Sequence, residues 1–482
     1  MTTRDNLLLP AALLVTLIAV FTGRLLDGPP ALVPADAPQE QFSGARAVAI
    51  LEALLQDDEP HPVGSPANRR VKERIQAWLD QEGIKHEEQT GWGCRPELLS
   101  CAYVENIIAT LPGEEPGPYV ALMAHYDSVA TTVGAGDDMA GVAAILETAR
   151  AIRAVGGHRH PVMLIITDAE ETGLHGAEAF FARHPLAEQV GILLNLEGSG
   201  TRGNSQVLRT SGDNAWYMNL FAASTSHPRG TVVANEVFKH MPNDTDFSVS
   251  RDAGIPGIDF AFAGERNHYH TPNDSIDQLD LRTLQHHGSN IYPLALELAN
   301  SDLSQPAGNR VVYNSAFGDW FQWYASWSPS LLVLAGALLA LATVATRPPP
   351  VQMLLTTVGL PLLVLVAGGA LVMGCFELQK RLHDPFSWPA HLWAYRLMLV
   401  SAMALPALFI MRWLSRNVEH EQLLLAVWWF WWLLTLGVML FLADASSRLL
   451  LPLVPAALLL AAAPWLPAPL GTLCRLATLV LS

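Results

Sequence analysis

The sequence predicts an α/β domain with a mixed, mostly parallel central sheet flanked by helices, followed by an all-α transmembrane bundle. Three observations carry this reading. Short β-rich runs alternate with helical stretches between residues 45 and 305, a spacing that favours strands and helices packed in layers. The charges are concentrated in the first two thirds of the chain: of 29 Lys/Arg and 45 Asp/Glu, only eight and six lie from Val311 onward, leaving 21 basic and 39 acidic side chains before it. The remainder holds apolar runs near the length of about 20 residues that a bilayer crossing requires. At 482 residues, 50% apolar and 15% charged, the composition as a whole leans toward membrane proteins.

Taken in order, Leu7–Gly23 is an apolar run preceded by Arg4, read as a retained anchor within segment 1–28, with a signal segment as the alternative. Pro29 and Pro30 open a polar linker over 29–44. Amphipathic patterns predict helices at Ala45–Leu55 and Asn68–Glu82. Strands are expected at Asn106–Leu111, Tyr119–Ala124, Val162–Thr167, Gly191–Leu196 and Gly257–Phe262, with helices at Ala140–Val155 and Gly176–His184. A second linker is expected over 306–328, and the membrane region over 329–482.

In that region spans are expected near 330–345, 351–375, 391–411, 423–443 and 449–466, with a weaker one at 470–481, so about five or six helices. Arg347, Arg412 and Arg416 follow the first and third of these, which by the positive-inside rule puts the acidic domain outside the cytoplasm; Lys380 and Arg381 count against that orientation. Trp428, Trp429, Trp431 and Trp432 read as an interfacial anchor. Cys94 and Cys101, with six residues between them in a polar loop, are a feasible disulfide in an oxidising compartment, with two free thiols as the alternative. Basic clusters interleaved with aromatics are absent, and an acidic domain repels phosphate backbones, which argues against nucleic-acid binding.

Five residues form a ligand set for two metal ions: His125 in Ala-His-Tyr-Asp-Ser, Asp137 in Gly-Asp-Asp-Met-Ala-Gly, Glu171 in Asp-Ala-Glu-Glu-Thr-Gly, Glu197 closing Leu-Leu-Asn-Leu-Glu-Gly, and His270 opening His-Thr-Pro-Asn-Asp. Imidazole nitrogen and carboxylate oxygen are ligands for zinc. Most of the five fall at or just beyond expected strand ends, where open α/β sheets gather functional groups. The expected arrangement is His125 and Glu197 on one ion, Glu171 and His270 on the other, and Asp137 bridging. Three carboxylates and a hydroxide then balance two dications, which would otherwise repel in a low-dielectric cleft. Asp127, two residues after His125, is placed to fix the imidazole tautomer. Glu170 is the candidate general base. Taken singly, each motif has a plainer explanation: Glu170-Glu171 as a solvated helix start, Asp137-Asp138 as a helix cap, Glu197 as a buried acid paired to arginine. Their joint occurrence, in order and with no ligand missing, favours the metal site. His158, His160, His175, His184, His227, His240, His268, His286 and His287 are read as solvated or structural.

These motifs resemble those of the co-catalytic zinc peptidase family that includes bacterial leucyl aminopeptidase, aminopeptidase Y, glutamate carboxypeptidase II and endoplasmic reticulum metallopeptidase. The resemblance covers roughly residues 45–299. It extends to His-Pro-Val-Gly-Ser-Pro-Ala-Asn at 61–68, Asn-Asp-Thr-Asp-Phe at 243–247, Ala-Gly-Ile-Pro-Gly at 253–257 and Tyr-His-Thr-Pro-Asn-Asp at 269–274. The membrane half most resembles the endoplasmic reticulum branch. The resemblance implies a zinc aminopeptidase-like fold, two Zn2+ per chain on the five ligands, and Glu170 as base. It implies a membrane-anchored exopeptidase acting on peptides, as an aminopeptidase, with a metal-bridging hydroxide as nucleophile. Two departures stand out: Gly136 replaces the acid or Asn of many relatives, and Glu197 stands where secreted aminopeptidases carry Asp, which leaves aminopeptidase or carboxypeptidase polarity open. A glutaminyl cyclase-like single-zinc acyltransferase and a non-catalytic binding protein on the same fold are the alternatives. The expected partners are a peptide substrate and the lipid bilayer. The expected location is a bacterial inner membrane with the catalytic domain facing the periplasm, or else an endoplasmic reticulum lumen.

Overall fold

The computed structural model describes residues 18, 21–23, 26–241, 243–305, 308–382, 397–402, 404–406, 409 and 418–481. The chain divides into two compact units, Gly23–Tyr324 and a second comprising Met1–Thr22 with Ala325–Ser482.

The first unit begins with helices α1 (Gly44–Leu54) and α2 (Pro66–Gln81), capped by the Ser43 and Ser65 hydroxyls. Strands β1 (Lys85–Arg95), β2 (Ser100–Leu111) and β3 (Tyr119–His125), helix α3 (Ala140–Val155), strand β4 (Val162–Thr167), helix α4 (His175–Arg183) and strands β5 (Val190–Gly198) and β6 (Gln206–Thr210) follow. The unit continues with α5 (Ala215–Ser224), α6 (Val232–Phe238), α7 (Phe247–Asp252), β7 (Gly257–Phe262), α8 (Leu281–Asn300) and a hairpin of β8 (Val311–Ala316) and β9 (Asp319–Tyr324).

Seven strands form one sheet in the order β1-β2-β4-β3-β5-β7-β6. The pairs β4/β3, β3/β5 and β5/β7 are parallel, while β1/β2, β2/β4 and β6/β7 are antiparallel. Every residue of β4 is buried, as expected of a central strand covered on both faces. One side of the core joins Met123, Met163, Ile165 and Leu193 of the sheet to Phe180 of α4 and Phe247 of α7. From β3 the chain steps to β4 on one side and later returns to β5 on the other. A crevice therefore opens at the carboxyl ends of β3 and β5, where such a reversal places ligand sites.

Strands β1 and β6 and helices α5–α8 were not expected from the sequence. β1 reads Lys-His-Glu-Glu-Gln-Thr-Gly-Trp-Gly-Cys-Arg and buries only Gly93; it is a polar edge strand whose conformation comes from pairing with β2. Segment 306–328, expected as a linker, contains the β8–β9 hairpin, with Val311, Val312 and Tyr313 buried and the Tyr313 and Trp320 rings stacked.

Among the described residues of the second unit, four helices are long and apolar enough to cross a membrane: Ala325–Thr346, Pro350–Arg381, Glu421–Phe441 and Ser446–Trp465. The expected span at 391–411 and the N-terminal run 7–23 lie largely outside the described residues. The helix Ala468–Leu481 has 14 residues, short of a full crossing. Three of the four tryptophans expected as an interfacial anchor also make contacts between helices. Trp429 Nε1 donates to Thr343 Oγ1, Trp431 Nε1 to the Leu449 carbonyl and Trp432 Nε1 to the Leu332 carbonyl, so these indoles join neighbouring helices. An indole N–H surrounded by apolar side chains favours an acceptor, and another helix supplies it for these three, while the buried Trp428 Nε1 has none among the described residues.

Candidate metal centre

His125 is the last residue of β3 and is buried. Its Nε2 lies 3.3 Å from Asp137 Oδ1, 3.8 Å from Glu197 Oε2 and 4.0 Å from Glu170 Oε2. On the other flank, His270 Nε2 lies 3.3 Å from Asp137 Oδ2 and 3.0 Å from Glu171 Oε2. Each oxygen of Asp137 thus faces a different imidazole. Glu170 and Glu171, neighbours in the turn after β4, diverge: one faces His125 and the other His270. All five expected ligands and the expected base meet on one rim, though they span His125 to His270 in sequence.

The supporting contacts explain how. The Asp127 carboxylate accepts the main-chain N–H of Glu170 at 2.9 Å and of Glu171 at 3.3 Å, holding the turn that carries both acids. This differs from the expected role. His125 Nδ1 lies 3.0 Å from the Asp127 carbonyl and 3.5 Å from its carboxylate, so the carbonyl is the nearer partner of the ring. Asp138 Oδ1 accepts the Gly141 N–H in the first turn of α3 and also lies within reach of His125 and Glu197, a neighbour the sequence reading left out of the ligand set. Sequence reasoning also missed Asp274, whose carboxylate accepts the N–H groups of Gly136 and Asp137 at 2.6 and 3.2 Å. Its signal was present in the Tyr-His-Thr-Pro-Asn-Asp motif. Tyr269 was missed too; its ring stacks on His270 with centroids 3.7 Å apart. Asp246 accepts from Thr167 Oγ1 at the end of β4. Arg209 braces the segment before α7 through Asp244, Thr245, Ser248 and Asp259. His268, the nearest competitor of His270, pairs with Thr201 Oγ1 instead.

Glycines make the convergence sterically possible. A side chain on Gly136 would start 2.2 Å from the Gly200 carbonyl oxygen, one on Gly198 2.1 Å from that of Gly136, and one on Gly200 2.2 Å from that of Gly264. Backbones bearing Asp137, Glu197 and the approach to His270 are therefore stacked in direct contact. The unusual Gly136 follows from this packing, because no Cβ fits there.

The electrostatics call for cations. Among the described residues no lysine or arginine ion-pairs with Asp137, Asp138, Glu170, Glu171 or Glu197, and the ion pairs of these acids run to His125 and His270. Burial, reinforced by neighbouring carboxylates, pushes Glu170, Glu197 and Asp138 well above the usual carboxylate range and Glu171 up to about 7. Burial disfavours the His270 cation, but Asp137 and Glu171 outweigh it and raise the group to about 10. Asp138 Oδ2 and Glu171 Oε1 are buried with no hydrogen-bond partner among the described residues, while Asp137 Oδ2 and His270 Nε2 have only ion-pair contacts inside the cluster. Such orphaned atoms are rare in folded proteins and costly unless something else satisfies them. Lone pairs of imidazole and carboxylate converging in two groups, His125–Asp138–Glu197 and Asp137–Glu171–His270, fit a pair of divalent cations.

Residues 106–295 match the model of peptidase family M28. The M28 segment contains all seven residues singled out as ligands, base or orienting acid. Endoplasmic reticulum metallopeptidase 1 of Rattus norvegicus is 36% identical over 205 residues, 42% of this chain and 23% of that protein. The vacuolar membrane protease of Candida dubliniensis is 30% identical over 302 residues, 60% of this chain and 32% of that protein. The chain spans between 23% and 32% of the length of these two relatives. Among solved structures, a glutaminyl cyclase from an Acidobacteriales bacterium is similar at 17% identity and TM-score 0.44, covering 56% of this chain and 99% of that one. An aminopeptidase from Aneurinibacillus sp. strain AM-1 is similar at 15% identity and TM-score 0.44, covering 56% and 97%.

Proposed function

We propose that the Gly23–Tyr324 unit is a zinc-dependent exopeptidase, acting as an aminopeptidase, carried by a membrane-spanning unit and facing the extracytoplasmic side. The observation that carries this reading is Asp137, whose two oxygens each stand 3.3 Å from a different imidazole. The proposed holders are His125 and Glu197 for one zinc ion, Glu171 and His270 for the other, and Asp137 for both. When bound, such a pair supplies Lewis acidity and lowers the pKa of water.

The chain's own residues supply the rest. Glu170, buried beside His125, takes a proton from the attacking water and returns it to the departing amine. Its burial and acidic neighbours raise its proton affinity, which suits a group that must hold the proton between the two steps. Asp127 keeps Glu170 and Glu171 in divergent orientations through their main-chain N–H groups. Tyr269 lies against His270, its phenol kept protonated by burial and by the carboxylates of Asp137 and Glu171. The disulfide between Cys94 and Cys101 supports an oxidising location, with the periplasmic face of a bacterial inner membrane favoured.

The test is a panel of unblocked and N-blocked aminoacyl substrates given to the zinc-loaded full chain. Cleavage restricted to unblocked substrates is the expected result. Cleavage of blocked substrates, or cyclisation of N-terminal glutamine with one zinc per chain, would count against it.

A further inference from the structure

Strand β2 pairs with β4 up to Ile107 opposite Ile166, and β4 ends at Thr167. Because the pair is antiparallel, residues 100–105 continue past the carboxyl end of β4, the end from which Glu170 and Glu171 emerge. At roughly 3.4 Å per residue the hairpin stands about 20 Å proud of that end. It leans on the acidic turn. Glu105 N–H donates to Asp168 Oδ2 at 3.2 Å, and Ser100 Oγ lies 3.2 Å from His175 Nε2. Gly93 sits so close to the His175 carbonyl that no side chain fits, and Leu98 Cδ1 stands 3.0 Å from where one on Gly173 would begin.

The hairpin is stapled near its tip, with Cys94 and Cys101 directly opposite each other and joined by a disulfide. Beyond the staple Leu98 is 54% exposed and Leu99 is 94% exposed, in an otherwise acidic unit. Leu99 also adopts a left-handed backbone, φ 52°, which a non-glycine residue takes at a cost. The fold holds Leu98 against Gly173 of the turn that carries the base, with Leu99 next to it at the tip of a disulfide-tied hairpin.

We propose that Leu98 and Leu99 form a specificity wall for the peptide substrate, contacting an apolar side chain on the leaving-group side of the scissile bond. The side follows from Glu170: the group that hands a proton to the departing amine faces that half of the substrate, and the hairpin lies on its turn. This rests on the peptidase reading above.

The test uses the zinc-loaded full chain in detergent with the dipeptides Ala-Leu, Ala-Ser, Leu-Ala and Ser-Ala. In a Leu98→Ser, Leu99→Ser double variant, the kcat/KM ratio of Ala-Leu to Ala-Ser is expected to fall roughly ten-fold, mainly through KM, with zinc content retained. A Leu98→Met, Leu99→Met variant is expected to keep the ratio, and Cys94→Ser with Cys101→Ser to lower it by freeing the arm. An unchanged ratio in the serine variant overturns the wall, and light scattering on the same samples then reports whether the leucines join two copies instead. A parallel loss on all four dipeptides, or a loss confined to the Leu-Ala series, also overturns it. A parent chain that cleaves no peptide sinks the peptidase reading itself, whereas a parent that cleaves them while its variants keep its selectivity sinks the wall alone.

Discussion

At the scale of single residues, the chemistry depends on two neighbours with opposite tasks. Glu170 and Glu171 are adjacent, yet one faces His125 and the other His270. Replacing Glu170 by Gln keeps the shape and removes the base. Turnover is expected to fall by roughly 10³-fold, within the range of general-base contributions, with zinc content by elemental analysis unchanged. Parent-level activity in the variant would remove the assignment. Gly198 offers a separate test, since a Cβ there would meet the Gly136 carbonyl oxygen at 2.1 Å. Gly198→Ala is expected to push the Asp137 and Glu197 backbones apart and weaken zinc binding roughly ten-fold, a loss typical of disturbed ligand orientation. Unaltered affinity by competition with a chelator would contradict the stacking argument. The five ligands were legible in the sequence because each sits in a short motif of chemically demanding residues. Asp274 and the glycine stack were harder to read, because their roles depend on which loops meet, and local pattern does not encode that.

At the scale of elements, the parallel strands were legible because buried strands covered on both faces read as unbroken apolar runs, as in Val-Met-Leu-Ile-Ile of β4. β1 was not, since its edge position allows polar residues throughout, and α8 hides its helical period behind buried His286, His287 and Asn290. That buried histidine pair predicts a pH dependence. His286 Nδ1 accepts the Ser205 N–H while Nε2 donates to the His227 carbonyl, an arrangement that requires the neutral ring. Burial lowers His286 to about 4 and His287 to about 3. Between about 6.5 and 4 the unfolded chain therefore carries a proton at position 286 that the folded chain does not, so this residue's share of stability is full above 6.5 and falls on acidification. His286 alone contributes on the order of 3 kcal/mol over that window. Thermal melts followed by circular dichroism should show His286→Asn losing less stability than the parent between pH 6.5 and 4; an equal change in the two proteins would contradict the assignment.

At the scale of the whole molecule, an acidic α/β unit and an apolar helical unit share one chain, a division that the charge distribution alone made visible. The tryptophan contacts were not visible, because an indole looks the same in a sequence whether it faces headgroups or donates to the Leu332 carbonyl. If the catalytic unit faces away from the cytoplasm, protease added to intact spheroplasts should digest residues 23–324 without permeabilisation. Protection until the membrane is broken would reverse the orientation. The central claim is a two-metal site that activates water for peptide hydrolysis, and the most direct test is to strip the full chain of metal and titrate zinc back while following cleavage of an unblocked dipeptide. Activity is predicted to plateau at two equivalents per chain; a plateau at one, or no hydrolysis at saturating zinc, would contradict it.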